Sequence, residues 1–148
     1  MALPPEQDRL LRRLFQSQRL AVLATRDNEQ AYASLVAFAE TLDLKRLLFV
    51  TSRDTRKYRN MQLHPQAALL IDNRPLEDTG FERSVAVTAV GDIQEVPEGA
   101  DPLLQCYLAK HPYLEPFVAM QNNVLLSLHV RHYVVSTFQQ VSSFSIAD

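Results

Sequence analysis

Phe49-Val50-Thr51-Ser52-Arg53-Asp54-Thr55-Arg56-Lys57-Tyr58-Arg59-Asn60-Met61-Gln62-Leu63-His64-Pro65 runs from a strand end through a turn into a short helix and its stop. The apolar run Leu47, Leu48, Phe49, Val50 predicts a strand that closes on Thr51 and Ser52. Asp54 and Thr55 supply a helix start, and His64-Pro65 ends the helix. Arg56 and Lys57 then fall in the first turn, where the helix dipole is already positive and cations are disfavoured. Free backbone N–H groups and two side-chain cations at one helix start form a site for phosphate. The competing reading is a solvated basic helix, with Arg53, Arg56, Lys57 and Arg59 facing water.

Upstream, residues 5–17 predict a helix with Leu10, Leu11, Leu14 and Phe15 on one face and Arg9, Arg12 and Arg13 off it. Residues 19–25 form a compact apolar strand, Asp27-Asn28 a turn, and residues 31–39 a second strand. Residues 42–46 connect to the third strand, 47–52. Downstream, the helix is expected over 55–63 and a fourth strand over 66–72. Residues 73–80 read as a polar loop with Pro75 and Gly80. A long strand over 83–96 alternates Val85, Val87 and Ala89 before Gly91, which marks a bulge or bend. Asp101-Pro102 opens a helix carrying Leu103, Leu104, Tyr107 and Leu108, and His111-Pro112 ends it. Residues 124–130 and 133–140 are expected as two closing strands. About six antiparallel strands with helices between them predict a mainly β chain, an antiparallel barrel with appended helices.

The 148 residues fit one domain, 1–148, with enough chain to bury a core. A net charge of −2 supplies no chain-wide field for nucleic acid, so the basic cluster is local. The single cysteine, Cys106, forms no intrachain disulfide, which suits a reducing compartment. No apolar run reaches membrane-spanning length, and Met1-Ala2-Leu3-Pro4-Pro5 lacks a signal-peptide layout. The expectation is a soluble cytoplasmic protein.

Motifs for cofactor-free catalysis are missing. The sequence has no Gly-x-Ser-x-Gly turn, phosphate loop or dinucleotide fingerprint, and only three glycines. His129 and His132 stand three apart on an expected strand, which points them to opposite faces and argues against a shared metal. His64 and His111 each precede a proline at a helix end, where capping of the last carbonyls is expected. Cys106 reads as a small buried hydrophobe. Glu77, Asp78 and Glu82 read as solvated loop carboxylates. The catalytic residues are not legible, and no metal site is expected.

The quoted stretch resembles the phosphate-binding turn of the FMN-binding split-barrel family, the relatives of pyridoxamine 5'-phosphate oxidase. The resemblance rests on Val50-Thr51, Thr55-Arg56-Lys57, His64-Pro65 and the strand that follows from Ala67, and it covers roughly residues 15–140. It implies a split β-barrel that binds FMN and transfers hydride to or from a small molecule. The implied cofactor residues are Ser34, Leu35 and Val36 on the second strand, Val50, Thr51 and Ser52, and the phosphate group Thr55, Arg56 and Lys57. Ser84, after Glu82-Arg83, inherits the position of a polar residue that reaches the ring. Relatives with this fold imply haem or deazaflavin F420 as alternative ligands, with His129 or His132 as a haem ligand, and a non-catalytic flavin carrier or sensor as another role. The chain departs from the vitamin B6 oxidase itself. Ser34 and Ala39 replace an Arg and a Lys of the second strand, and the oxidase's Trp and Arg-Leu-x-Pro signature is missing from the end Ser142-Ser-Phe-Ser-Ile-Ala-Asp148. The resemblance also implies a homodimer with flavin at its interface. The closing-strand residues Val124, Leu126, Leu128, Val130, Val134 and Val135 are more than one barrel interior is expected to absorb.

Overall fold

The computed structural model describes residues 3–73 and 83–146. Most of the 73–82 loop, with Glu77, Asp78 and Glu82, therefore lies outside the described residues. The elements are α1 (Pro5–Ser17), β1 (Leu20–Arg26), β2 (Ala31–Glu40), β3 (Arg46–Ser52), α2 (Arg56–Leu63), β4 (Gln66–Asp72), β5 (Val85–Glu95), α3 (Asp101–Lys110), a 3-10 turn (Pro112–Leu114), α4 (Glu115–Val118), β6 (Asn123–Thr137) and β7 (Val141–Ser145).

All strand pairings are antiparallel, in the order β3-β2-β1-β4-β5-β6-β7, and β3 also pairs β6. That last pairing closes six strands into a barrel and leaves β7 as an appendage. Along one edge of β6, residues 123–129 pair with β3 and residues 132–136 with β7, while β5 runs along the other edge. One long strand thus serves where two closing strands were expected over 124–130 and 133–140. The final strand, β7, went unread because its sequence, Val-Ser-Ser-Phe-Ser, carries little apolar signal.

Inward alternation builds the core. Leu23, Phe38, Phe49, Leu69, Ile71, Val87, Leu128 and Tyr133 are fully buried. Helix α1 stoppers one barrel end with Leu11, Leu14 and Phe15, and the Phe15 ring meets Phe38 edge-on at 5.8 Å. At that end the β2–β3 turn holds Leu44 in the left-handed region (φ 60°), which costs a non-glycine residue. The strain is offset by complete burial of the Leu44 side chain and by the Tyr133 hydroxyl, which donates to its carbonyl at 2.7 Å.

Gly91 does sit at a bulge. Val90 pairs with His132 and Gly91 with Val130, so Arg131 is the extra residue on β6. A Cβ at Gly91 would collide with the backbone carbonyl of His129, so the position requires glycine for close approach. The bulge also shifts the alternation: Val124, Leu126, Leu128 and Val130 are buried, then Tyr133 and Val135. His129 and His132 consequently share the outer face, contrary to the opposite faces expected of an unbroken strand. The closing-strand apolar residues are mostly absorbed by one barrel after all, since Val124, Leu126, Leu128, Val130 and Val135 lie in the core. They give no argument for a partner.

Candidate functional site

The β2–β3 ladder consists of Phe38↔Phe49, Ala39↔Leu48 and Glu40↔Leu47 only. Beyond Phe38 the two strands diverge toward the end of the barrel that carries α2, and the wall is split there. The Phe38 N–H donates to Arg19, on the β1 side. By antiparallel alternation the backbone groups of Leu35 and Ala33 therefore point into the split. Helix α3 covers the upper part. The fully buried Tyr107 donates to the Ala37 carbonyl at 3.1 Å, and the His111 ring bonds the Phe38 carbonyl at 2.7 Å. Tyr107 therefore bonds β2 on the side of the split, while His111 bonds it on the β1 side, where the Phe38 N–H also points. Burial pulls the His111 pKa down, with the nearby cations Lys110 and Arg19 acting in the same direction.

Helix α2 begins at the mouth of the split. Thr55 is its N-cap: the hydroxyl accepts from the Tyr58 N–H, donates to the Ser52 carbonyl at 2.8 Å and lies 3.1 Å from the Thr51 hydroxyl. The buried Thr51 thus braces the helix start. One turn later, Asn60 donates to Thr25 at 3.1 Å and Met61 enters the core, which fixes the helix against β1.

The two first-turn cations have different surroundings. Arg56 is exposed and already engaged by the β1–β2 hairpin: it donates to Gln30 at 3.0 Å, lies 3.6 Å from Asp27 and sits 4.9 Å over the Tyr32 ring. Asp27 is held below the usual carboxylate range, first by the backbone N–H groups of Glu29 and Gln30 and then by Arg56. Lys57 shares the inner helix face with Asn60 and Met61, three and four residues on. Its half-buried ammonium has no hydrogen bond or ion pair among the described residues, and burial alone lowers its pKa. No acid occupies the first turn of α2.

The remaining sequence-derived site residues fall into four groups. Ser34, Val36 and Thr51 face inward in register with the core, and the buried Ser34 hydroxyl has no partner among the described residues. Leu35 is 65% exposed on the outer face, while the outward-facing Val50 is covered by the α3 cluster. Ser52 receives the Asn122 amide at 3.2 Å. Ser84 stands apart. It precedes β5 at the end where Asp72 pairs Ala86, whereas α2 enters β4 at the other end, where Gln66 pairs Asp92. One chain does not bring Ser84 to Lys57.

The ring of His64 reaches Asn28 at 2.7 Å, and that of His111 reaches Phe38; in both cases the backbone N–H, not the ring, caps the helix. Cys106 is half-buried and donates to the Glu40 carbonyl, with its thiol pKa raised by burial. No group of three or more metal-ligating side chains occurs among the described residues. The Asp27, Gln30 and Tyr32 clasp and the Tyr107–His111 pair were not read from the sequence. The first had only a turn signal, and the second had no local signal at all.

An antiparallel barrel with one split seam, and a basic helix start at its mouth, defines a split-barrel protein. The profile of the pyridoxamine 5'-phosphate oxidase family matches residues 8–133, and the chain belongs to that family. No curated protein matches the sequence. Among solved structures, a haem-binding protein from Mycobacterium smegmatis is similar with a TM-score of 0.82 at 19% identity; the alignment covers 97% of this chain but only 60% of that one. A Clostridium acetobutylicum protein related to general stress protein 26 of B. subtilis, of the pyridoxinephosphate oxidase family, aligns over 97% of both chains with a TM-score of 0.74 at 14% identity. An FAD-binding protein from Mesorhizobium loti aligns over 95% of this chain and 94% of its own, with a TM-score of 0.61 at 17% identity. At these identities the likeness establishes the fold.

Proposed function

We propose that this chain binds FMN along its split seam and uses it for hydride transfer with a small organic molecule. The observation that carries the reading is Lys57: a half-buried ammonium at a helix start with no counter-charge among the described residues is costly until an anion docks. The Thr55 N-cap and the first N–H groups of α2 lie beside it, and the diverging β2 and β3 edges offer backbone groups to a planar ring. Bound flavin supplies the redox chemistry. The protein's part is to hold the phosphate at Lys57, to position the ring against Leu35 and the β2 backbone, and to exclude water there.

Ser84, at the opposite barrel end, joins this site only from a second copy, so the proposal includes a homodimer with the cofactor between subunits. Extraction of whatever ligand co-purifies, followed by fluorescence titration of the stripped protein with FMN and riboflavin, tests the reading. FMN should bind well ahead of riboflavin. Indifference to the phosphate would refute it. Turnover with a reduced nicotinamide donor separates an enzyme from a flavin carrier.

A second reading, haem, is favoured by one feature: the bulge at Arg131 puts His129 and His132 on the same outer face. A red protein with an intense Soret band that fades in a His129→Ala or His132→Ala variant would favour it. Deazaflavin F420 would be distinguished by the extracted chromophore.

A further inference from the structure

At the barrel end opposite Lys57, a cavity of about 530 Å3 opens between α1 and the start of β5. Leu10, Leu14 and Val85 provide its apolar lining; Arg9 and Arg13 stand on its polar side with Ser17, Asn73 and a single acid, Glu6, so the cations outnumber the carboxylate two to one among the described lining residues. The three arginines of α1 read alike in the sequence, but the structure separates them. Arg12 is consumed by the fold: it bonds Asp8 at 2.7 Å and the Leu42 carbonyl at 2.6 Å. Arg9 and Arg13, one helical turn apart, have no ion pair or hydrogen bond among the described residues. Like charges at that spacing repel, and a shared anion relieves the repulsion. The far wall is built, because Asn73 ties the base of its loop through the Arg83 carbonyl and the Val85 N–H, both at 2.8 Å.

We infer that this cavity is the substrate pocket and that it takes an organic anion with an apolar body, such as an aromatic or branched carboxylate. Guanidinium groups bind a carboxylate through charge-assisted, fork-shaped hydrogen bonds, and the leucines take the hydrocarbon. A volume of this size is in the range of small-molecule pockets. The assignment rests on the flavin reading in one respect: Val85 of the lining directly follows Ser84, so a dimer that brings Ser84 to the ring held by the other copy brings the rim of this cavity with it.

The test uses the full chain loaded with FMN, benzoate as the probe and benzamide as its uncharged counterpart. Calorimetry should show benzoate binding and benzamide failing, and benzoate should perturb the flavin absorbance. An Arg9→Ala/Arg13→Ala double variant should lose benzoate affinity by about tenfold or more while keeping its FMN affinity, as loss of charge-assisted bonds requires. Both sites lie on the exposed face of a helix, where alanine is well tolerated. Equal binding of benzoate to the variant, or equal binding of benzamide, would overturn the anion assignment. Arginine-dependent binding that leaves the flavin spectrum untouched would overturn the substrate role. If the protein takes up no FMN, the flavin reading fails, while the calorimetric comparison of benzoate, benzamide and the variant still decides the pocket.

Discussion

Arg56 and Lys57 are neighbours in the chain with unequal roles. Lys57→Ala removes the one unpaired first-turn cation, and a charge-assisted hydrogen bond is typically worth about 1.5–3 kcal/mol. FMN affinity should fall roughly tenfold to a hundredfold, with riboflavin unchanged in the same titration. Arg56→Ala should cost FMN only about threefold or less, because an exposed guanidinium already paired with Asp27 and Gln30 contributes little. Equal losses would show that the hairpin surrenders Arg56 to the ligand. The basic turn was legible because its signals are local. This division of labour was not, because it depends on Gln30, 26 residues upstream, and on the inner face that Asn60 gives the helix. His111 carries a pH prediction. Its folded pKa is depressed by burial, so the neutral ring is favoured in the fold and the unfolded chain binds more protons just below its ordinary pKa. The contribution is complete above about pH 6.5 and is lost as pH falls below it toward the folded value. Urea midpoints should therefore decline through that window in the wild type and decline less in a His111→Gln variant, whose amide N–H can still reach Phe38.

Elements were read well where a period and its stops agreed, as in α1 and β4. They were misread where a polar insertion broke the period. Arg131-His132 separates the two closing strands expected over 124–130 and 133–140, yet β5 holds β6 continuous across it and absorbs Arg131 as a bulge. The signal on the other side of the pair, Gly91, was legible, but only the register shows which strand carries the extra residue. Gly91→Ala should destabilise the protein by about 3 kcal/mol or more, at or beyond the usual range for overpacking, because the obstacle is backbone and cannot rotate away. The checks are a lowered urea midpoint and a changed ligand affinity only where unfolding intervenes. Alanine at exposed Gly99, where nothing lies within 4 Å of the added methyl but φ is +89°, should cost only local backbone strain, about 1 kcal/mol.

At the scale of the molecule, the proposed homodimer rests on a divided site and not on surplus apolar surface. The apolar closing strand is consumed by a single barrel, but the sequence-derived site is divided between its two ends, with Lys57 at one and Ser84 at the other. A homodimer that joins unlike ends makes one site from two halves. A ligand bound only by the assembled pair stabilises it by mass action. Dilution should release flavin and dissociate the dimer together, seen as fluorescence recovery in step with a falling mass from light scattering. A monomer that keeps its flavin on dilution would break the link. The antiparallel barrel was legible from the run of strands and its split from the family resemblance; the order of strands in the sheet and the place where the seam opens were not, since nothing local to β2 announces that Tyr107, 70 residues away, bonds the Ala37 carbonyl where pairing with β3 stops.

That unzipped seam also has an isotopic consequence. Ala33 and Leu35 sit in a strand by conformation, yet their N–H groups face the gap and lack a ladder partner there, unlike those of Ser34 and Val36, which face β1. In heavy water the strand should exchange alternately, fast at Ala33 and Leu35 and slow at Ser34 and Val36. Any molecule that lodges along the seam and accepts from those two amides would erase the alternation, marking its own position without colour, turnover or a substituted residue.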